Sequence, residues 1–236
     1  MVANLIQRLR ESRWQIVSLA VLALTMAGLA SILPAAGSEA FTRFLGPVHP
    51  ALAIALAALF AVPSIRFLVA RFGFSQHTWA QTRRGLPVAC VVAASFGIAV
   101  AIADLGLRYP ATINVAFPES LLFYPPMGLF VDLIFHAALP ALLLLIMSPL
   151  IRKLGRPRVV WIAILAVALV EPLLQVFWAG TLAWTELYTA VSVFLFGAAQ
   201  LVIFRKYGFL SMYATRLLFY LLWHVIWGHF RLELLF

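Results

Sequence analysis

"MGLFVDLIFHAALPALLLL", residues 127–145, is an apolar run of bilayer-spanning length that holds an aspartate, Asp132, and a histidine, His136, one helical turn apart. A helix rises 1.5 Å per residue, so about 20 apolar residues cover the roughly 30 Å of hydrocarbon in a bilayer. The run therefore reads as a transmembrane helix. An ionisable side chain near the bilayer centre costs about 3 kcal/mol on insertion scales, so such groups face the protein interior and are paired or functional. Asp132 and His136 thus imply that other spans pack around this one.

The rest of the chain supplies them. Hydrophobic residues make up 64% of the 236 and charged residues 11%, against about 25% charged in an ordinary soluble domain. We expect an all-α fold, a polytopic transmembrane helix bundle forming one domain over 1–236, because no repeat, low-complexity tract or linker divides it. Seven apolar windows qualify as spans: about 14–33, 50–70, 86–103, 127–150, 159–178, 189–204 and 208–230. The second is interrupted by Pro63 and by Arg66, which is close enough to the inner end to snorkel.

The net charge of +9 does not indicate nucleic acid, since the Lys and Arg residues fall between apolar runs and not on one solvated face. They alternate instead. With the N-terminus inside, twelve basic residues lie in cytoplasmic segments and three, Arg43, Arg108 and Arg231, lie outside, while Arg66 and Arg216 fall within spans. Lys and Arg are retained on the cytoplasmic side, so the expected topology is N-in, C-out. Five of the eight acids, Asp104 among them, fall outside on this scheme.

The first span begins like a signal peptide, with a basic start and small residues at its end, yet its core of about 20 residues exceeds a typical signal h-region of 7–15. It reads as a retained span. Residues 1–13 set Leu5, Ile6 and Leu9 against arginines, as in a basic amphipathic helix lying on an anionic inner leaflet. The longest outer connection, "DLGLRYPATINVAFPESLLFYPP", carries four prolines and reads as an ordered surface loop, with a re-entrant segment as the alternative. Cys90 is the single cysteine, which leaves no disulfide framework or cysteine metal site.

Five ionisable groups lie at membrane depth: Asp132, His136, Glu171, Arg216 and His224. Counting residues from the span ends places Asp132, His136, Glu171 and His224 in one layer of the outer half. Arg216, Tyr220 and His224 share one face at i, i+4, i+8, and an arginine there can reach one turn toward Glu171. Each group has a bland reading: a local Asp132–His136 pair, a structural Glu171–Arg216 ion pair, and an interfacial hydrogen-bonded His224. The sharper readings make Asp132, His136, Glu171 and His224 candidate catalytic residues or ligands of zinc or iron. Axial haem ligation by two histidines is a weaker alternative. Glycine-rich phosphate loops, a Gly-x-Ser-x-Gly elbow, HExxH and paired-cysteine motifs are absent, and Ser192 and Ser211 have no base partner by sequence.

The last four spans, about 127–230, are similar in layout to the CPBP family of intramembrane proteins, which includes CAAX prenyl proteases and bacteriocin-processing or immunity proteins. In "VDLIFH", Val131 and Asp132 stand where that family has paired glutamates, and His136 where it has an arginine. "VALVE" puts Glu171 at the histidine of the second motif, and "GFLSMYATRLLFY" puts Arg216 at the histidine of the third and Tyr220 at its Asn. The resemblance implies a glutamate and histidine hydrolytic site within the membrane. Here a carboxylate survives at Asp132, while Glu171 and Arg216 replace both histidines and suit each other as an ion pair.

The leading expectation is therefore a non-catalytic or divergent CPBP-like protein, a pseudoenzyme, that packs against or binds a membrane partner through this polar cluster. The alternatives are an active intramembrane protease or metallohydrolase using Asp132, His136, Glu171 and His224, and a proton or ion transport subunit. Expected partners are the lipid bilayer and another membrane protein or a lipidated or hydrophobic peptide. The expected location is the bacterial inner (cytoplasmic) membrane, as a multi-pass protein.

Overall fold

The computed structural model describes residues 2–32, 35–76, 78–180 and 183–236, and leaves the side chains of 2–15, 35–38, 178 and 179 undescribed. The described residues form a helical bundle: α1 (Val2–Ser31), α2 (Ala35–Leu45), α3 (Pro50–Phe72) and α4 (Trp79–Leu107), then α5 (Ser120–Ile146), α6 (Arg156–Ala179), α7 (Trp184–Tyr207) and α8 (Phe209–Leu235). Six of these, α3 to α8, are long and apolar enough to cross a membrane.

The remaining expected span, 14–33, differs. Within α1 the apolar stretch is Ile16–Ser31, 16 residues and so at the short limit for a crossing. Of the basic segment 1–13, expected as a surface helix, residues 2–13 are the first turns of α1 without a break; the side chains that would test its amphipathic face lie outside the described residues.

Helix ends carry local stop and start signals. Pro50 opens α3, and His49 Nδ1 accepts a hydrogen bond from the Ala51 backbone N–H. Thr78 caps α4 by accepting from Gln81 N–H. Ser75 donates its hydroxyl to the carbonyls of Arg205 and Lys206, satisfying orphan groups at the end of α7. Gly208, at φ 89°, makes the turn that folds α8 directly back on α7, a conformation open to glycine and costly for other residues.

Packing places α5 and α8 centrally. The middle of α5 lies on α3, α6 and α7, while α8 packs against α4, α5 and α7. α4 crosses the α7–α8 corner at Gly85, where a Cβ would lie 2.7 Å from Tyr207 Cβ and closer still to Ser211. No larger residue fits that crossing without a shift of backbone.

Both α5 and α8 contain a π-helical segment with i→i+5 hydrogen bonding, Asp132–Ala138 and Leu221–Trp227. These segments hold Asp132, His136 and His224. Wide turns of this kind are rare and cluster at functional sites. The connection 108–119 is a loop with one 3-10 turn, Ala111–Ile113, held against the ends of α4 and α8.

Candidate functional site

Arg216 on α8 is the hub. Its Nε donates to Asp132 Oδ1 at 2.7 Å, and Nη1 donates to Tyr220 Oη at 3.0 Å and Glu171 Oε1 at 3.5 Å. Nη2 donates to Gln200 Oε1 at 2.9 Å and Glu171 Oε2 at 3.3 Å. All five guanidinium donors are thereby used. The partners come from α5, α6, α7 and α8 itself, so a single side chain joins four helices.

The backbone makes room for this hub. A Cβ at Gly128 would approach the Tyr220 ring at 3.1 Å and Arg216 Cδ at 3.3 Å. Glycine there, one turn before Asp132, lets α5 and α8 close to the distance that the Arg216–Asp132 bond needs. Tyr213, one turn before Arg216, donates its hydroxyl to Pro125 O at 2.9 Å and pins the same contact.

Asp132 and His136 are both buried, with His136 Nδ1 3.2 Å from Asp132 Oδ1. That is ion-pairing distance without hydrogen-bond alignment, and Asp132 Oδ2 has no partner either. The local pair expected from the i, i+4 spacing is thus secondary, and the principal partner of Asp132 is Arg216. Glu171 is the looser member: its bonds are longer and its side chain is 18% exposed.

Of the four residues expected to share a pocket, Asp132 and Glu171 bond Arg216 and a third, His136, lies beside Asp132. The fourth does not join them. His224 Nδ1 lies 2.7 Å from Asn114 Oδ1, and its ring stacks on Tyr124 at 4.3 Å. Tyr124 Oη in turn accepts from Val115 N–H, so His224 anchors the outer loop to α5 and α8.

This geometry bears on the metal reading. Among the described residues no three of His, Cys, Asp and Glu gather as a ligand set. The space between the Asp132 and Glu171 carboxylates, where a cation would sit, is filled by the Arg216 guanidinium. Two cavities open elsewhere, and neither is lined by Asp132, His136, Glu171, Arg216 or His224.

Sequence reasoning missed Gln200, fully buried on α7, although one amide inside "VFLFGAAQLVIF" was a visible signal. It also missed a second ionic centre. Asp104 and Arg231, both expected among the external charges, are fully buried. Arg231 forks onto Asp104 with Nε–Oδ2 2.6 Å and Nη2–Oδ1 2.9 Å, and donates further to the carbonyls of Tyr109 and Pro110. Trp227 Nε1 and the Tyr109 backbone N–H complete the carboxylate at 2.8 and 2.9 Å.

The two centres differ in charge. At Asp104 one carboxylate meets one guanidinium and accepts four hydrogen bonds. At Arg216 one guanidinium serves two carboxylates. No protein-family model matches the chain, and no curated protein or solved structure matches it either.

Proposed function

We propose that the chain is a non-catalytic integral membrane protein, CPBP-like in the layout of α5 to α8, whose intramembrane cluster is an internal charge lock. Recognition of a membrane partner, a hydrophobic peptide or a ligand then falls to surfaces outside the cluster. The observation that carries this reading is the saturation of Arg216: every donor is used on Asp132, Glu171, Gln200 and Tyr220. A hydrolytic carboxylate needs a water and a substrate bond within reach, whereas Asp132 is fully buried and lines neither cavity.

Elemental analysis of the detergent-purified protein tests the reading. We expect no stoichiometric zinc or iron, and a thermal midpoint that a chelator leaves unchanged. One transition metal per chain, or a midpoint that falls on chelation, would favour the metallohydrolase built on Asp132, His136, Glu171 and His224.

The orientation belongs to the same proposal. The helix ends and connections at the α3–α4, α5–α6 and α7–α8 junctions hold nine basic residues, Arg71, Arg83, Arg84, Arg152, Lys153, Arg156, Arg158, Arg205 and Lys206, and no acid. Such an end is retained in the cytoplasm, which places the C-terminus outside and, with α1 crossing, the N-terminus inside. With Cys90 replaced by serine, Leu154→Cys and Leu235→Cys are expected to react with an impermeant thiol reagent from opposite sides. Labelling of both from one side would overturn the topology.

A further inference from the structure

At the end of the bundle opposite the nine basic residues, a cavity of about 300 Å³ opens between α2, the loop after α4, the end of α6 and the start of α7. That volume is at the lower bound of ordinary ligand pockets. Its described lining combines one cation, Arg43, one carboxylate, Glu186, the polar groups of Gln175 and Thr112, and apolar surface from Ile113 and Val176.

Arg43 makes no ion pair or hydrogen bond among the described residues, and neither does Gln175 or Thr112. Glu186 accepts from the hydroxyl of its neighbour Thr185, through Oε2 at 2.6 Å, and its other support comes from backbone N–H groups at the start of α7, at Ala183 and at its own position, so among the described residues no cation pairs with it. Opposite charges therefore line one space without pairing across it. The two ionic centres of this protein behave otherwise, each closing its arginine on a carboxylate.

The walls are fixed before any ligand arrives. Arg231 holds the carbonyls of Tyr109 and Pro110. Burial raises the pKa of the Tyr109 phenol, which stays protonated and sits 2.9 Å from Thr189 Oγ1, itself bonded to Thr185 O at 2.7 Å. The buried Asp104–Arg231 centre thus makes one wall of the cavity rigid. Prior ordering of this kind lowers the entropic cost of binding.

Phe44, Phe177 and Trp184, each adjacent in sequence to a lining residue, are 52%, 78% and 78% exposed. Tryptophan is enriched at the membrane–water boundary, which fits Trp184 at this end of the bundle, with Phe44 and Phe177 adding exposed apolar surface there. A ligand entering there from the bilayer brings its apolar part along these side chains and its polar part into the cavity.

We propose that this cavity binds a zwitterion carrying an ammonium and a phosphate, as in the headgroup of an ethanolamine phospholipid, with Arg43 taking the phosphate and Glu186 the ammonium. The same chemistry in a free phosphoethanolamine is the other source, and the rim favours the lipid.

The test is binding to the full-length protein in detergent, read by native mass spectrometry, with phosphatidylethanolamine, phosphatidylglycerol and free phosphoethanolamine as probes. Losing one charge-assisted hydrogen-bond partner corresponds to about tenfold in affinity. Glu186→Gln is expected to weaken phosphatidylethanolamine by that factor and leave phosphatidylglycerol, which lacks the ammonium, unchanged. Arg43→Gln is expected to weaken both. Arg43 is exposed and Glu186 partly so, and an unchanged thermal midpoint in each variant checks that it folds. Wild-type affinity for phosphatidylethanolamine in both variants overturns the site. Free phosphoethanolamine binding as tightly as the lipid, with the same dependence on Arg43 and Glu186, overturns the lipid as its source.

Discussion

Replacing Arg216 by methionine is expected to destabilise the bundle by about 3–5 kcal/mol, the cost of removing one partner from a buried ion pair. Asp132 loses its 2.7 Å bond inside a fully buried site, and Glu171, Gln200 and Tyr220 lose the donor they share. Asp132→Asn is expected to cost nearly as much, because it leaves a guanidinium with only the longer, partly exposed Glu171 as counter-charge. Glu171→Gln is milder, about 1 kcal/mol or less, the range of a single hydrogen bond. Neutralising it leaves Asp132 and Arg216 as a balanced pair. The check is a double-mutant cycle in nanodiscs read by thermal unfolding, in which Asp132→Asn with Arg216→Met recovers about 1 kcal/mol or more of the summed losses. Additive losses would mean that the two side chains are not coupled. A catalytic Asp132 would differ again, since its neutral isostere leaves stability unchanged or raised.

The sequence-based pairing of Glu171 with Arg216 was thus half the story, and the reason is geometric. The i, i+4, i+8 series of Arg216, Tyr220 and His224 assumes one helical phase along α8, but the π segment from Leu221 widens the turn and carries His224 toward Asn114 and Tyr124. No residue pattern announces that segment. The membrane bundle itself was plain from apolar runs, because burial of backbone in lipid admits little besides helices for such runs. Helix ends were less plain. Arg83 and Arg84 fall outside the apolar window 86–103, yet lie within α4, since a hydropathy window stops at charge while backbone hydrogen bonding does not. Likewise Pro125 and Pro126 read as loop residues, and instead sit in the second turn of α5, beyond the first-turn N–H groups that lack a partner anyway, so each removes an intrahelical hydrogen bond that packing must offset. Treating Asp104 and Arg231 as external charges had the same origin: a topological count assigns residues at span ends to water, and their partners lie 127 positions apart.

Replacing Arg231 by methionine is expected to match the Arg216 variant in size, about 3–5 kcal/mol, but to act on a different part of the molecule. Asp104 would keep only the bonds from Tyr109 N–H and Trp227 Nε1, and the carbonyls of Tyr109 and Pro110 would lose their donor. Arg231→Lys is not a conservative change here. An ammonium cannot fork across both carboxylate oxygens and reach two carbonyls at once, so most of the loss should persist. The local effect is loosening of the 108–119 loop from its start, because Arg231 holds the carbonyls of Tyr109 and Pro110 to α8 while His224 still holds Asn114. Hydrogen exchange separates this from global unfolding: amides of 109–120 should exchange faster in Arg231→Lys while those around Arg216 keep their protection. Equal acceleration in both regions would show that the two ionic centres belong to one cooperative unit, and unchanged exchange at 109–120 would remove Arg231 as the tether of the loop. Because the same loop forms a wall of the Arg43–Glu186 cavity, faster exchange there should be accompanied by weaker binding of phosphatidylethanolamine, with Arg43 and Glu186 themselves untouched.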